Sequence, residues 1–292
     1  MKKSVVIIGS NGQLGSDLVR VFSNDTNFII HPLTHKQIEI SQYKNVTSVL
    51  DTLNPQIIIN TAAYTKVDDA EIYPEKAYLI NAIGTKNLAE YCKKNNSIFV
   101  YISSDYVFGQ DKKRTSPLTE KDYPGPVNTY GISKLVGEIY TQFLLNKYFI
   151  IRSCGLFGVA GSSGKGYNFI ELMLQLAKKD KEIKVVNDQI ITPTYTLELS
   201  QQILELLKTD KYGLYHITAE GQCSWYDFAL EIFSLTNTNI SVTPISSSEF
   251  LSRVERPGYS VLENKKLKDL GINKMSHWRV GLVDYLREKK II

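Results

Sequence analysis

The N-terminus combines a short apolar run with three regularly spaced glycines. Residues 4–8 read Ser-Val-Val-Ile-Ile, a run typical of a buried strand, and Gly9, Gly12 and Gly15 precede a helical pattern over residues 14–22. Glycines allow a backbone to approach a phosphate closely, and a helix N-terminus presents free N–H groups and a positive dipole end. This order of elements predicts a site for a dinucleotide pyrophosphate; an ordinary glycine-rich turn is the alternative.

Apolar runs and helical patterns alternate through the first half of the chain. Strands are predicted at residues 28–30, 56–59, 98–102 and 148–151, and helices at residues 42–53, at residues 75–94 and around Tyr130. Strands that are apolar throughout and separated by helices indicate a parallel sheet covered on both faces. Residues 1–152 are therefore predicted to form one doubly wound α/β domain.

The pattern is looser after Arg152. Five glycines between residues 155 and 166 predict a mobile loop beside a site. Helices are predicted at 167–178, 196–207 and 224–233, with a strand at 214–218 and a weakly structured tail to Ile292. We expect residues 153–292 to form a smaller lobe that binds substrate, with some elements returning to the first sheet.

Composition narrows the classes of protein that this chain can belong to. A chain of 292 residues that is 43% hydrophobic can bury a substantial core. Its net charge of +4 and its short basic runs, at residues 112–114 and 287–290, give no reason to expect a nucleic-acid partner. The first apolar run ends at a glycine turn, and no apolar stretch approaches the roughly 20 residues of a membrane span, so we expect neither a signal peptide nor membrane contact.

The cysteines and histidines indicate neither a disulfide framework nor a metal site. Cys92, Cys154 and Cys223 are odd in number and widely spaced, which predicts free thiols and a cytoplasmic location. His31 and His35 are four residues apart, but Pro32 between them argues against a shared helix face and no third ligand is evident.

The segment after the second predicted strand bears on the choice of dinucleotide. An acidic residue is expected here when the adenosine ribose carries free hydroxyls, but the chain reads His31-Pro32-Leu33-Thr34-His35-Lys36. Lys36 and His35 are suited to a 2′-phosphate, which favours NADPH, with NADH possible. The alternative is that both side chains simply face solvent.

Two further segments carry groups suited to acid–base chemistry. Tyr130 and Lys134 are four residues apart in a predicted helix and share one face, where an ammonium would lower the pKa of the phenol towards neutrality. The alternative is a chance pair on a solvated helix. Ser103-Ser104-Asp105-Tyr106 directly follows a predicted strand, at the edge where ligands bind in open α/β sheets, although such a sequence is more often a turn or cap.

These segments together resemble the extended short-chain dehydrogenase/reductase family. The motifs that carry the resemblance are Gly9-x-x-Gly12-x-x-Gly15, Asn60-Thr61-Ala62-Ala63, Ser103-Ser104-Asp105-Tyr106-Val107-Phe108 and Tyr130-x-x-x-Lys134. More narrowly, the chain is similar to the dTDP-4-dehydrorhamnose reductase family through Ala62-Ala63-Tyr64-Thr65-Lys66-Val67-Asp68-Asp69-Ala70-Glu71, Asn187-Asp188-Gln189, Thr192-Pro193-Thr194 and Arg256-Pro257-Gly258. The resemblance runs nearly end to end. It implies a Rossmann-type doubly wound parallel sheet with a smaller mixed α/β substrate-binding lobe.

The resemblance also implies a reaction. A hydride would pass from the nicotinamide to C4 of dTDP-4-dehydro-6-deoxy-L-mannose and give dTDP-L-rhamnose, the last step of dTDP-rhamnose biosynthesis. Tyr130 would donate the proton, Ser104 would hydrogen-bond the carbonyl oxygen, and Lys134 would hold the nicotinamide ribose.

The other site residues follow from the same resemblance. We expect the cofactor to lie against Gly9, Asn11, Gly12, Gln13, Leu14, Gly15, Thr34, His35, Lys36, Glu39, Ile40, Ala62, Ala63, Tyr64, Asn81, Tyr130 and Lys134. We expect the sugar nucleotide to lie against Ser104, Asp105, Tyr106, Gly155, Asn187, Gln189 and Arg256. Arg256 suits a diphosphate because its guanidinium is a planar array of donors; a surface ion pair is the alternative.

One departure concerns the sugar. Many members of the family read Arg-Thr-Ser-Trp where this chain reads Arg152-Ser153-Cys154-Gly155, and that Trp lies against the hexose. Loss of the aromatic ring removes apolar contact with the sugar. Either Leu156, Phe157 or the glycine-rich loop fills the gap, or the sugar differs.

Other functions share parts of this pattern. A reductase of another 4-keto-6-deoxy sugar nucleotide would use the same groups, and so would a sugar-nucleotide epimerase or dehydratase. Dehydratases of this group typically follow the catalytic hydroxyl with Asp-Glu, whereas here Tyr106 follows Asp105. A non-catalytic regulatory subunit of the same fold is a third possibility, but Ser104, Tyr130 and Lys134 favour catalysis. A monomer or a homodimer is expected.

Overall fold

The computed structural model describes residues 2–161, 166–179, 181–250, 252 and 254–292. In chain order its strands are β1 (Lys3–Ile8), β2 (Phe28–Leu33), β3 (Ile57–Asn60), β4 (Ile98–Ser104), β5 (Tyr148–Ser153), β6 (Leu156–Phe157), β7 (Glu182–Val186), β8 (Ile190–Ile191), β9 (Thr194–Tyr195), β10 (Gly213–His216), β11 (Cys223–Ser224) and β12 (Ser241–Ile245). Its α-helices are α1 (Gln13–Ser23), α2 (Tyr43–Leu53), α3 (Val67–Ile72), α4 (Pro74–Ala77), α5 (Thr85–Asn95), α6 (Thr129–Leu144), α7 (Phe169–Ala177), α8 (Thr196–Leu207), α9 (Trp225–Leu235), α10 (Lys265–Asp269) and α11 (Trp278–Glu288).

Within the described residues, six parallel strands form the central sheet, in the order β10-β5-β4-β3-β1-β2. Strand β1 lies between β2 and β3, so the direction in which the chain crosses the sheet reverses there. In open α/β sheets the crevice at this switch point, outside the carboxyl ends of the strands, is where ligands bind. Gly9, which directly follows β1, lies at this switch point.

Both faces of the sheet are covered, as the uniformly apolar strands predict. In β1, Val5 and Ile7 pack in a cluster with α1 and α8, whereas Val6 and Ile8 pack in a second cluster with α2 and α5. All four side chains are at most 1% exposed. The doubly wound Rossmann-type sheet is thus confirmed.

A second lobe is built from the C-terminal half. Its core joins α7, α9, α11 and β7 around Phe228 and Trp278. Within the described residues of this lobe, the short strands pair β7 with β12, β8 with β11, and β6 with β9. Strand β10 instead pairs with β5 and extends the central sheet, and α8 covers that sheet.

Three expectations need correction or completion. The tail is not weakly structured, because α11 buries Trp278, Leu282, Tyr285 and Leu286, whose spacing is that of one helix face. The long helix predicted over 75–94 is interrupted by a π-helical stretch, Tyr78–Gly84. Residues 162–165 of the predicted glycine-rich loop, including Gly164, lie outside the described residues.

Candidate active site

The turn after β1 requires glycine at two positions. Gly9 has φ +79°, in the left-handed region, and a Cβ on it would lie 2.7 Å from Thr61 Oγ1. A Cβ on Gly15 would lie 2.1 Å from the carbonyl oxygen of Gly9, so helix α1 meets the turn at backbone distance. The two glycines bring the start of α1 against the carboxyl end of β1, the approach that a pyrophosphate site needs.

The N-terminus of α1 is open to an anion. Among the described residues no side chain caps this helix at Gly12, and its first turn holds no acidic residue. The N–H groups there are therefore available to a phosphate. Gln13 accepts a hydrogen bond from the Gly158 N–H at 3.0 Å and so ties β6 to this turn, Leu14 is buried in the core, and Asn11 is exposed.

The segment after β2 lies beside the same turn. The N–H groups of Gly9 and Ser10 both donate to the carbonyl oxygen of Leu33, at 2.9 and 3.1 Å. Beyond it, Lys36 is exposed, and His35 is exposed with its Nδ1 3.5 Å from Glu39. These two groups face solvent, next to the expected position of the adenosine ribose.

Two other members of the predicted cofactor set beyond β2 serve the fold. The Thr34 N–H and hydroxyl both donate to Gln37, at 2.9 and 2.8 Å. The Ile40 side chain is 3% exposed and packs in the second core cluster.

The end of β3 is joined to the catalytic helix through Asn81. Its amide accepts from the Tyr64 N–H at 2.8 Å, and donates to the Tyr64 carbonyl at 3.1 Å and to Ser133 Oγ at 2.9 Å. Ala62 N–H donates to Asn60 at 3.1 Å, and Ala63 follows it, half-buried. Asn81 lies in the π-helical stretch and is fully buried, so it fixes this loop relative to α6.

Ser104, Tyr130 and Lys134 converge at the carboxyl end of β4. Ser104 is the last residue of β4, and a 3₁₀ turn, Asp105–Val107, follows it. Helix α6 begins beside that turn, capped by Asn128, which accepts from the Gly131 N–H at 2.8 Å. The predicted strand edge and shared helix face therefore bring all three groups together.

Lys134 is a buried amine. It is 2% exposed, its Nζ donates to the Ile102 carbonyl at 2.6 Å, and it lies 4.4 Å from the centre of the Tyr101 ring. Burial lowers the pKa of Lys134 to about 7, against an opposing effect of Glu138.

The pKa of Tyr130 differs from the expectation in direction. Burial raises it to about 12, and the neighbouring Ser104 hydroxyl only partly offsets that effect. The expected lowering by Lys134 was wrong for the protein alone, because desolvation of the phenolate outweighs any attraction to the amine. A neutral phenol at neutral pH is nevertheless the form that can donate a proton.

Arg152 and Glu138 form a buried ion pair next to the end of β4, which the sequence analysis did not predict. Arg152 of β5 donates to both oxygens of Glu138, at 2.8 and 2.7 Å, and Ser103 donates to the same carboxylate at 2.5 Å. Glu138 lies four residues after Lys134, a spacing that places the two on one helix face and was visible in the sequence.

The predicted substrate residues separate into groups. Tyr106 packs its ring edge-on against Tyr130, with centroids 5.5 Å apart, whereas the Asp105 carboxyl is hydrogen-bonded within the protein. Gln189 and Arg256 line one cavity of about 400 Å³. Asn187, two residues before Gln189, does not line that cavity and accepts from Ser224 Oγ at 2.8 Å.

A hydrogen bond connects the wall of this cavity to α6. Asn128, the cap of α6, donates to the carbonyl oxygen of Glu255 at 2.9 Å, next to Arg256. Arg256 is paired at 2.8 Å with Asp68, a residue of α3. Phe250 also lines the cavity with its ring half-exposed, and no sequence motif indicated it.

Neither neighbouring apolar residue replaces the missing Trp. Gly155 has φ +55°, and a Cβ there would lie 3.1 Å from Pro193 Cα. Phe157 is buried in the second lobe, stacked on Tyr195 with ring centroids 5.6 Å apart. Leu156 packs against the core of the central sheet.

The described residues hold no group of three or more His, Cys, Asp or Glu side chains arranged to bind a metal ion. No helix in the described part of the chain is both long and apolar enough to span a membrane.

A Rossmann-type sheet, an open glycine turn and a Ser–Tyr–Lys cluster at the strand ends define an NAD(P)H-dependent oxidoreductase of the extended short-chain dehydrogenase/reductase class. The family described as RmlD substrate binding domain matches residues 1–291. The chain belongs to this family, that of the dTDP-4-dehydrorhamnose reductases.

Individual relatives match over nearly the whole chain. The spore coat polysaccharide biosynthesis protein SpsK of Bacillus subtilis (strain 168) is 36% identical, over 98% of this chain and 97% of that protein. The dTDP-4-dehydrorhamnose reductase of Aggregatibacter actinomycetemcomitans is 34% identical, over 95% and 96%. The crystal structure of dTDP-4-dehydrorhamnose reductase from Bacillus anthracis str. Ames in complex with NADP is 41% identical, covers 99% of this chain and 100% of that one, and superposes with a TM-score of 0.92.

Proposed function

We propose that this chain uses NADPH to reduce the C4 keto group of dTDP-4-dehydro-6-deoxy-L-mannose, giving dTDP-L-rhamnose. The observation that carries the proposal is the convergence of Ser104, Tyr130 and Lys134 at the carboxyl edge of the sheet, the same edge at which the open N-terminus of α1 lies. The family supports the same reaction, since relatives over nearly the full length are named dTDP-4-dehydrorhamnose reductase.

The chain fits a dinucleotide. Gly9 and Gly15 let the start of α1 lie against the carboxyl end of β1, because a Cβ on either would clash with the protein itself, and the uncapped start of α1 would bind the charge of a pyrophosphate. Lys36 and His35 would meet a 2′-phosphate, which supports NADPH and agrees with the NADP in the Bacillus anthracis structure. When bound, the nicotinamide supplies the hydride.

The protein's own groups handle the proton. As the hydride reaches C4, negative charge develops on the carbonyl oxygen, and the neutral phenol of Tyr130 donates its proton there. Ser104 donates a hydrogen bond to the same oxygen. Lys134, held by the Ile102 carbonyl, stabilises the phenolate that Tyr130 becomes and would contact the nicotinamide ribose.

The far end of the substrate would occupy the cavity of about 400 Å³. Arg256 would leave Asp68 to bind the diphosphate, because its planar donors match two phosphate oxygens. The half-exposed Phe250 ring offers a surface on which a pyrimidine can stack. Residues 1–152 would then hold the cofactor and residues 153–292 most of the sugar nucleotide.

The cellular setting is part of the proposal. Cys92, Cys154 and Cys223 are buried free thiols, which suits the cytoplasm, where sugar nucleotides are made. We propose a monomer or a homodimer, which analytical ultracentrifugation of the purified chain would decide.

The test is an assay of purified protein with a panel of 4-keto-6-deoxy sugar nucleotides, with NADPH and NADH side by side. We expect loss of NADPH absorbance with dTDP-4-dehydro-6-deoxy-L-mannose, and a fall of about 10²- to 10⁴-fold in kcat for Tyr130→Phe. Tyr123→Phe, which deletes the same atom from a side chain that is 95% exposed, should leave kcat unchanged. Full turnover by Tyr130→Phe would refute the mechanism, whereas turnover of a different ketose alone would change only the substrate.

A further inference from the structure

The Asp105 carboxyl group lies directly behind the catalytic hydroxyl. It is 4% exposed and accepts from Ser104 Oγ at 3.0 Å through Oδ1, and from Ser260 Oγ at 2.7 Å and Cys154 Sγ at 3.1 Å through Oδ2. The register of β4 and β5 pairs Ser104 with Ser153, which brings Asp105 beside Cys154. No lysine or arginine in the described part of the chain forms an ion pair with it.

The single proton of Ser104 has two competing acceptors. Ser104 Oγ already accepts from the Tyr106 N–H at 3.2 Å, and its own O–H points to Asp105. Reduction of the substrate needs that same O–H to donate to the C4 oxygen. An ionised Asp105 therefore competes with the substrate, whereas a protonated Asp105 can donate to Ser104 Oγ and release the Ser104 proton.

We propose that Asp105 is a positioning residue, whose carboxyl decides whether the Ser104 hydroxyl donates to the substrate oxygen or back into the protein. This inference rests on the proposed function. The two donors at Oδ2, Cys154 and Ser260, keep that oxygen an acceptor. A proton on the carboxyl consequently lies on Oδ1, where it faces Ser104.

The protein around Asp105 favours the protonated carboxyl more than water would. Burial raises the pKa of Asp105, and the hydrogen bonds from Ser260, Cys154 and Ser104 lower it in part. The titratable groups that face it from the neighbouring elements are Tyr106 of the 3₁₀ turn, Tyr130 of α6 and Cys154 after β5. Burial raises the pKa of all three, so they are neutral at neutral pH and the carboxyl is the group that titrates.

Asp105→Asn tests this directly. With the Asn oxygen accepting from Ser260 and Cys154, its NH₂ group replaces Oδ1 and donates to Ser104, which fixes the arrangement of the protonated acid. We expect the kcat of the wild-type protein to fall with rising pH as Asp105 ionises, and that fall to be absent in Asp105→Asn. Lys134 is the same in both proteins, so the difference between the two profiles reports Asp105.

A second variant shifts the titration instead of removing it. Cys154→Ala deletes a donor that stabilises the carboxylate, which raises the pKa of Asp105 and moves the fall in kcat to higher pH. Cys92→Ala makes the same change in the second core cluster and should leave the profile in place. In a Ser104→Ala background, Asp105→Asn should have no further effect on the profile.

The outcomes separate the two proposals. If the wild-type protein turns over no sugar nucleotide, the proposed function fails. If it does, the inference is overturned when Asp105→Asn keeps the wild-type profile, or when it loses turnover at every pH with its melting temperature unchanged. Should Asp105→Asn not fold, the presence or absence of the shift in Cys154→Ala decides.

Discussion

Gly131→Ala is expected to displace the catalytic tyrosine. A Cβ on Gly131 would lie 2.1 Å from the carbonyl oxygen of Tyr106, a distance that real contacts do not reach, and 3.0 Å from Pro126 Cβ. The obstacle is backbone, so the start of α6 must move away by about 1 Å, and a misplacement of that size costs about 10²-fold in rate. Because Tyr130 precedes Gly131, we expect kcat to fall about 100-fold.

The assay is steady-state turnover of the sugar nucleotide with NADPH, together with the melting temperature and the dissociation constant for NADPH. Gly84→Ala is the matched control, because it adds the same atom to a helical glycine whose nearest atoms, at 2.7 Å, belong to the Ile40 side chain and not to backbone. We expect Gly84→Ala to keep kcat within about twofold and to cost stability instead, since a core side chain can shift where backbone cannot and Gly84 lies outside the catalytic cluster. A Gly131→Ala protein with normal kcat would refute the argument that backbone contact fixes the position of Tyr130.

Three further outcomes follow from the structure. Lys36→Ala should raise the KM for NADPH about fivefold, the effect of one exposed charge contact, and leave the KM for NADH unchanged in the same assay. Glu138→Gln leaves Arg152 charged and buried without its partner, and should lower the free energy of unfolding, measured in urea, by about 3–5 kcal/mol. Asp269→Asn breaks an exposed ion pair and should lower the same free energy by less than about 1 kcal/mol. Burial lowers the pKa of His216 to about 3, below the value of 6.5 expected in the unfolded chain, so the unfolded state binds more protons between these two values. The contribution of His216 to stability is therefore full above pH 6.5 and is lost as the pH falls towards 3. His216→Asn should reduce the slope of the unfolding free energy against pH in that range by up to about 1.4 kcal/mol per pH unit.

Local patterns in the sequence were enough to predict the sheet and the position of its ligand edge. The glycine turn at Gly9 and the polar residues at the end of β4 are recognised from the residues next to them in the chain. The periodicity of α6 places Tyr130 and Lys134 on one helix face. The contact between Asp105 and Ser260 joins residues 155 positions apart. Nothing local in the sequence marks such a pair, because it depends on how the second lobe docks on the sheet.

Sequence patterns do not supply side-chain directions. They therefore do not decide whether Asn187 contacts the substrate, or which side chain fills the space at Gly155. Phe157 follows Gly155 by two residues, but its ring lies in the core of the second lobe, stacked on Tyr195. The side of the site where the family has an aromatic ring is accordingly bordered by Gly155 and the backbone near Pro193. Ketoses that differ on that side of the ring are therefore the informative members of the substrate panel.

The unexpected direction of the Tyr130 pKa follows from burial, which sequence spacing does not report. Desolvation raises the pKa of Tyr130 and lowers that of Lys134. A buried site without water therefore favours the neutral phenol over the phenolate and the neutral amine over the ammonium. When the phenol gives its proton to the substrate, the phenolate that forms makes the Lys134 ammonium more favourable, since each charge then offsets the desolvation cost of the other. The pair therefore stays protonated on oxygen until the substrate oxygen acquires charge, which suits Tyr130 to the direction of reduction.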